Sequence, residues 1–129
     1  MVRILIVESF PATSDVIHST LAAAPGMDVV GLATNSGSAL AMLEQLRPDL
    51  VILDGTLGHR DNHRLIRRMK EVTPTVKLLV LSDHPEASYH ESAVTCGADR
   101  LILKVHLIQE LLPAVRSVIG EPETEQQPY

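Results

Sequence analysis

Four short apolar runs end on residues able to do chemistry. ILIV leads to Glu8 and Ser9, LVIL to Asp54, LLVL to Ser82 and Asp83, and LIL to Lys104. Carboxylates act as nucleophiles or as ligands of hard cations. A hydroxyl donates and accepts hydrogen bonds, and a lysine ammonium is a point charge suited to an anion. One polar residue closing an apolar run is ordinarily a solvated strand end. Four such ends, of types that fit one chemistry, are expected to share a site. Glu8 poses its own question because Ser9 follows it. The acid belongs either to a working acidic site or to one that has lost a part.

Other spacings carry less. His59 and His63 in HRDNH stand four apart, a metal-ligand spacing on a helix. The segment begins in a loop and has no HExxH glutamate, so metal binding is not expected there. HRD also occurs in kinase catalytic loops, but no glycine-rich loop accompanies it. Arg60, Arg64, Arg67 and Arg68 make a basic stripe expected to be a solvated helix face. Cys96, just before Gly97, reads as a small buried hydrophobe.

The elements that must position these residues alternate five times. VRILIV (2–7) is the first strand. Pro11 suits the first turn of a helix whose stripe is Val16, Ile17, Thr20, Leu21 and Ala24. Pro25-Gly26 stops it, and 27–33 is the second strand. Asn35 or Ser36 caps a helix carrying Leu40, Leu43 and Leu46. Pro48-Asp49 turns into the third strand, 50–54, and a third helix lies near 62–72. The fourth strand is 76–82, and Pro85 opens a helix that ends before Gly97. The fifth strand is 100–104 and the last helix 107–119. Continuous apolar strands are buried on both faces. The alternation therefore predicts an α/β domain, a doubly wound parallel sheet covered by helices on each side. Ligands of such folds sit beyond the carboxyl ends of the strands.

Bulk properties narrow the function. The chain has 129 residues, enough for one domain with its own core. One cysteine excludes an intrachain disulfide framework and fits a reducing compartment. No apolar stretch approaches the roughly 18 residues of a membrane span, and no signal peptide is evident, so a cytoplasmic protein is expected. Net charge is −5, but Glu121, Glu123 and Glu125 stand in the last ten residues, and without them 13 acids face 11 bases. A balanced body, in a chain whose aromatic residues are Phe10, Tyr89 and Tyr129, offers neither a polyphosphate surface nor a stacking platform. The domain is expected over 1–119, and 120–129 reads as an acidic tail or the start of a linker.

Over about residues 2–119 the chain resembles the receiver domain of bacterial response regulators. The resemblance is carried by RILIVES, RPDLVILD, the DN of LGHRDN, LLVLSDH and CGADRLILK. With PGMDVVGLA it is most similar to CheY-like receivers of the NarL/FixJ type. It implies a flavodoxin-like (βα)5 fold with strand order 2-1-3-4-5. It also implies a two-component signalling role without enzymatic turnover beyond self-phosphorylation and self-dephosphorylation. Asp54 then matches the phosphoacceptor, Ser82 the hydroxyl that bonds the phosphoryl group, and Lys104 its cationic partner. Magnesium would be held by Glu8, Asp54 and the Thr56 backbone. The partner implied is a sensor histidine kinase or phosphotransfer protein. The first and last helices and the fifth-strand face are candidate homodimer surfaces.

The chain departs from the pattern at several points. Two adjacent acids usually follow the first strand; here they are Glu8 and Ser9. A neutral hydroxyl in place of a carboxylate removes a full charge from a site for a hard ion, so weak magnesium binding is expected. Glu8, one methylene longer than aspartate, or Asp83 at the rim could compensate. Ser9 could instead satisfy a backbone N–H at the helix entry. Leu101 stands where receivers often carry a switching aromatic, Arg100 where a small residue is usual, and Val105 follows the lysine. Two functions compete: a phosphoacceptor domain with impaired magnesium use, and a degenerate receiver that works by phosphorylation-independent binding, with Lys104 and Asp54 as a fixed pair. DNA recognition by this chain alone is not expected.

Overall fold

Side chains alternate between the two faces of a strand, and both faces of this sheet are covered. The computed structural model describes residues 1–57 and 62–120. Its strands are β1 (Val2–Val7), β2 (Met27–Ala33), β3 (Leu50–Asp54), β4 (Lys77–Ser82) and β5 (Arg100–Leu103). They pair in parallel, in the order β2-β1-β3-β4-β5. Five helices alternate with them: α1 (Pro11–Ala22), α2 (Ser36–Leu46), α3 (His63–Val72), α4 (Ala87–Cys96) and α5 (Leu107–Val118). This is the flavodoxin-like fold expected from the sequence.

The core has two halves. Leu5, Val7, Val51, Leu53, Leu78 and Val80 face α2, α3 and α4, where Leu43, Ile66 and Met69 meet them. The alternate residues Ile4, Ile6, Leu50, Ile52, Leu79 and Leu81 face α1 and α5, against Ile17, Leu21 and Leu111. Demand for apolar side chains on both faces is why the central strands read as unbroken runs.

Several boundaries and faces differ from expectation. The strand β5 ends at Leu103, and Lys104 opens a 3₁₀ turn (Lys104–His106) that swings the chain into α5. Pro85 precedes α4 rather than opening it, because Ser82 and His84 first form a tight turn. The buried stripe of α1 is Ser14, Ile17 and Leu21, a rotation that leaves Val16 exposed. Ala24 is buried beyond the end of that helix. Pro11 does occupy the first turn of α1, and Asn35 Oδ1 caps α2 by accepting from Ser38 N–H at 2.9 Å. Cys96 is half-buried rather than enclosed, and its Sγ accepts from Arg67 Nη2 at 3.2 Å. Arg64, Arg67 and Arg68 are exposed, as a solvated stripe should be. His59, Arg60, Asp61 and the acidic tail lie outside the described residues.

Candidate functional site

The strand order decides what meets at the carboxyl edge. The neighbours β1 and β3 put Glu8 beside Asp54, and β4 brings Ser82 alongside. All three are buried, at 1%, 3% and 1% exposure. Lys104 arrives from the 3₁₀ turn after β5. Its Nζ lies 3.2 Å from Asp54 Oδ1, 3.5 Å from Glu8 Oε1 and 4.0 Å from Asp83 Oδ2. One ammonium thus serves two buried carboxylates and an exposed third.

The loop after β3 wraps the Asp54 carboxylate. Thr56 N–H donates to Asp54 Oδ1 at 3.1 Å. The Asn62 side-chain amide donates to the Asp54 carbonyl at 2.6 Å, and Asn62 N–H to the Gly55 carbonyl at 2.9 Å. Asn62 belongs to the DN of the resemblance, and its contribution here is to hold this loop.

Glu8 is bound differently. Its Oε2 accepts from Phe10 N–H at 3.1 Å. The backbone donor that Ser9 could have satisfied at the helix entry is thus taken by Glu8, while Ser9 is exposed. The other oxygen, Oε1, is buried with no hydrogen-bond partner. Burial pushes the Glu8 carboxyl above its ordinary value, Phe10 N–H pulls it down, and the Asp54 charge adds to the rise while Lys104 opposes it. For Lys104, burial pulls its pKa down, but Asp54 and then Glu8 push it up and prevail.

Ser82 is in place but engaged elsewhere. Its Oγ accepts from His84 N–H at 2.8 Å and donates to the His84 carbonyl at 3.3 Å. Leu101 is partly buried against the α2–α3–α4 half of the core, and Arg100 is half-buried. Val105 is 78% exposed. Sequence reasoning missed Tyr89, His63 and His84. Tyr89 donates from its hydroxyl to the Gly55 carbonyl at 3.1 Å, and its ring lies near both imidazoles. No linear spacing signals a tyrosine 34 residues away; the adjacency of β3 and β4 does.

A model of the response regulator receiver domain family matches residues 4–116. The chain belongs to this family. Among curated relatives, the receiver is 30% identical over 123 residues to protein-glutamate methylesterase/protein-glutamine glutaminase 1 of Methanospirillum hungatei, covering 94% of this chain and 35% of that protein. It is 27% identical over 127 residues to response regulator protein VraR of Staphylococcus aureus, covering 95% of this chain and 61% of that one. The chain therefore spans about a third and three-fifths of these relatives' lengths. The fold is shared with the response regulator domain of Thermotoga maritima CheB (TM-score 0.84, 21% identity, 95% and 98% coverage). It is shared also with a signal receiver domain described as that of NarL from Mycobacterium tuberculosis (TM-score 0.86, 22% identity, 94% and 98% coverage). The receiver's place is thus in two-component signalling. Among the described residues no helix is long and apolar enough to cross a membrane.

Proposed function

We propose that this receiver accepts a phosphoryl group on Asp54 from a histidine kinase or phosphotransfer protein in the cytoplasm, with weakened dependence on magnesium. The observation that carries this reading is the buried Asp54 carboxylate at the end of β3, 3.2 Å from Lys104 Nζ. In the reaction an Asp54 carboxylate oxygen forms a bond to phosphorus. The bond from phosphorus to the donor breaks, and its electron pair leaves with the donor. Lys104 supplies a fixed positive charge to the phosphoryl oxygens. Ser82 would exchange its bond to the His84 carbonyl for one to a phosphoryl oxygen.

The oxygen set fits magnesium, one carboxylate short. Glu8 Oε1 is buried and makes no hydrogen bond, although Lys104 Nζ lies 3.5 Å away, so it has a lone pair to offer a hard cation. Glu8, Asp54 and the Thr56 backbone would hold the ion, which supplies neutralisation of the phosphoryl oxygens. Ser9, exposed and neutral, adds no charge. An open cleft between α1 and α5, lined by Ala12, Thr13, Val16, Val105, Leu107 and Ile108, begins at Lys104 and gives a protein donor an apolar seat.

A second reading has its own support. Lys104 already pairs with both Glu8 and Asp54, and the Ser82 hydroxyl is engaged by His84. A degenerate receiver that binds partners independently of phosphorylation would look like this. Intact mass after incubation with acetyl phosphate, over a magnesium titration and with Asp54→Asn as control, separates the two. A phosphoryl-sized gain that needs Asp54 is expected. No gain at any magnesium concentration would transfer the conclusion to the degenerate reading. We read residues 1–119 as the receiver unit and 120–129 as a tail or linker start. DNA recognition, if any, would belong to a longer protein.

A further inference from the structure

The loop that orients Asp54 is gripped from α4 by one side chain. Gly55 C=O and Thr56 N–H belong to the same peptide unit, which is planar and rigid. Its N–H end donates to Asp54 Oδ1 at 3.1 Å. Its C=O end accepts from the Tyr89 hydroxyl at 3.1 Å and from Asn62 N–H at 2.9 Å. Whatever fixes the carbonyl therefore fixes the direction of the N–H aimed at the carboxylate.

Tyr89 is itself fixed. Its ring centroid lies 5.0 Å from that of His63 and 4.7 Å from that of His84, tilted 38° and 31°. These separations and tilts suit attractive aromatic contact. The His84 carbonyl is held in turn by His90 Nε2 at 2.8 Å. The residue at position 55 is matched to this arrangement. A Cβ there would collide with the Tyr89 hydroxyl and lie 3.1 Å from the Leu81 carbonyl. Glycine lets the hydroxyl and the β4 backbone both approach the peptide.

We propose that Tyr89 is a positioning residue for Asp54, acting through the 55–56 peptide. For its effect on chemistry the proposal rests on the phosphoacceptor reading. Its structural part stands apart from that reading.

Two measurements on Tyr89→Phe test it, since phenylalanine keeps the ring and removes the hydroxyl. Amide hydrogen exchange by NMR in the unphosphorylated protein reads the Thr56 N–H bond to Asp54. Exchange at Thr56 is expected to quicken about two- to tenfold, the scale of one ordinary hydrogen bond, while Val51 and Leu53 in β3 keep wild-type rates. The rate of acetyl phosphate uptake, measured well below the thermal midpoint of either protein, is expected to fall by a similar factor, or its magnesium midpoint to rise. Unaltered Thr56 exchange, or acceleration shared by the β3 amides, would overturn the proposal. If wild type takes no phosphoryl group, the phosphoacceptor reading fails, and Thr56 exchange still decides the part played by Tyr89.

Discussion

Lys104 is the residue on which the acidic site balances. Its ammonium faces Glu8 and Asp54, both almost wholly buried. Removing a charge from such a cluster leaves its partners desolvated and uncompensated. Lys104→Met is therefore expected to lower unfolding free energy at pH 7 by about 3 kcal/mol, read by urea titration, with part of the loss recovered as acid protonates the pair. Lys104's own contribution has the sign of a raised amine pKa. It is complete below pH 10.5 and disappears as pH climbs through the higher folded value. Glu8 follows the same direction in a lower pH window. Its carboxyl is raised from 4.5, so the folded state holds that proton more tightly than the unfolded chain. Stability then declines as pH rises from 4.5 through the folded value. Glu8→Gln is expected to raise the thermal midpoint at pH 7 and to have no such advantage below about pH 4. An unchanged midpoint at pH 7 would contradict this. Ser9→Asp tests the missing acid, and the magnesium midpoint of phosphorylation is expected to fall about tenfold, because ligand charge tunes affinity for hard ions.

At the scale of elements, α5 carries a built-in defect. Pro113 lies inside the helix Leu107–Val118 and is exposed. A proline there has no N–H to donate to Gln109 and crowds the preceding turn. Tertiary packing overrides this, since Leu111, Ala114 and Val115 are buried against the sheet. Pro113→Ala is expected to stabilise the domain by about 1–3 kcal/mol, measured by chemical denaturation. A loss of stability would mean that the helix is bent to fit the sheet. The 3₁₀ turn before α5 has a functional consequence. By ending β5 at Leu103 it frees Lys104 from the strand's alternation and lets the side chain reach across to β1 and β3.

For the whole molecule, one sheet divides two half-cores. Leu43 on α2 and Leu111 on α5 are both fully buried, in opposite halves. Truncating either to alanine should cost about 2–5 kcal/mol. The side chains share no partner across the sheet, so the double variant should sum the singles within about 0.5 kcal/mol. The sheet is common to both halves, so unfolding should remain one transition by circular dichroism and fluorescence of the tyrosines. Two separated transitions would show that the halves melt independently.

How much of this was legible before the fold was seen differs by kind of signal. Burial on both faces forces unbroken apolar runs, so VRILIV, LVILD and their fellows marked the strands and the doubly wound class. The polar ends of four apolar runs drew attention to Glu8, Asp54, Ser82 and Lys104, and resemblance in a few motifs supplied the strand order and their expected roles. Boundaries were less legible where local hydrogen bonds compete with the strand or helix pattern, as in the Ser82–His84 turn and at Lys104. The face of α1 was misread because Ser14, a polar residue, turned inward in place of Val16; its hydroxyl donates to the Pro11 carbonyl, so burial costs it no hydrogen bond. Sequence alone thus determined the elements, their class and the residue types available at the sheet's edge, because periodicity and composition are local properties. Tertiary structure alone decided that one lysine serves two acids, that Glu8 rather than Ser9 binds the helix entry, and that Tyr89 grips the loop after β3. The lysine and tyrosine contacts join residues that only the crossover connections bring within reach, while the Glu8 contact spans two residues and was decided by which side chain turns inward.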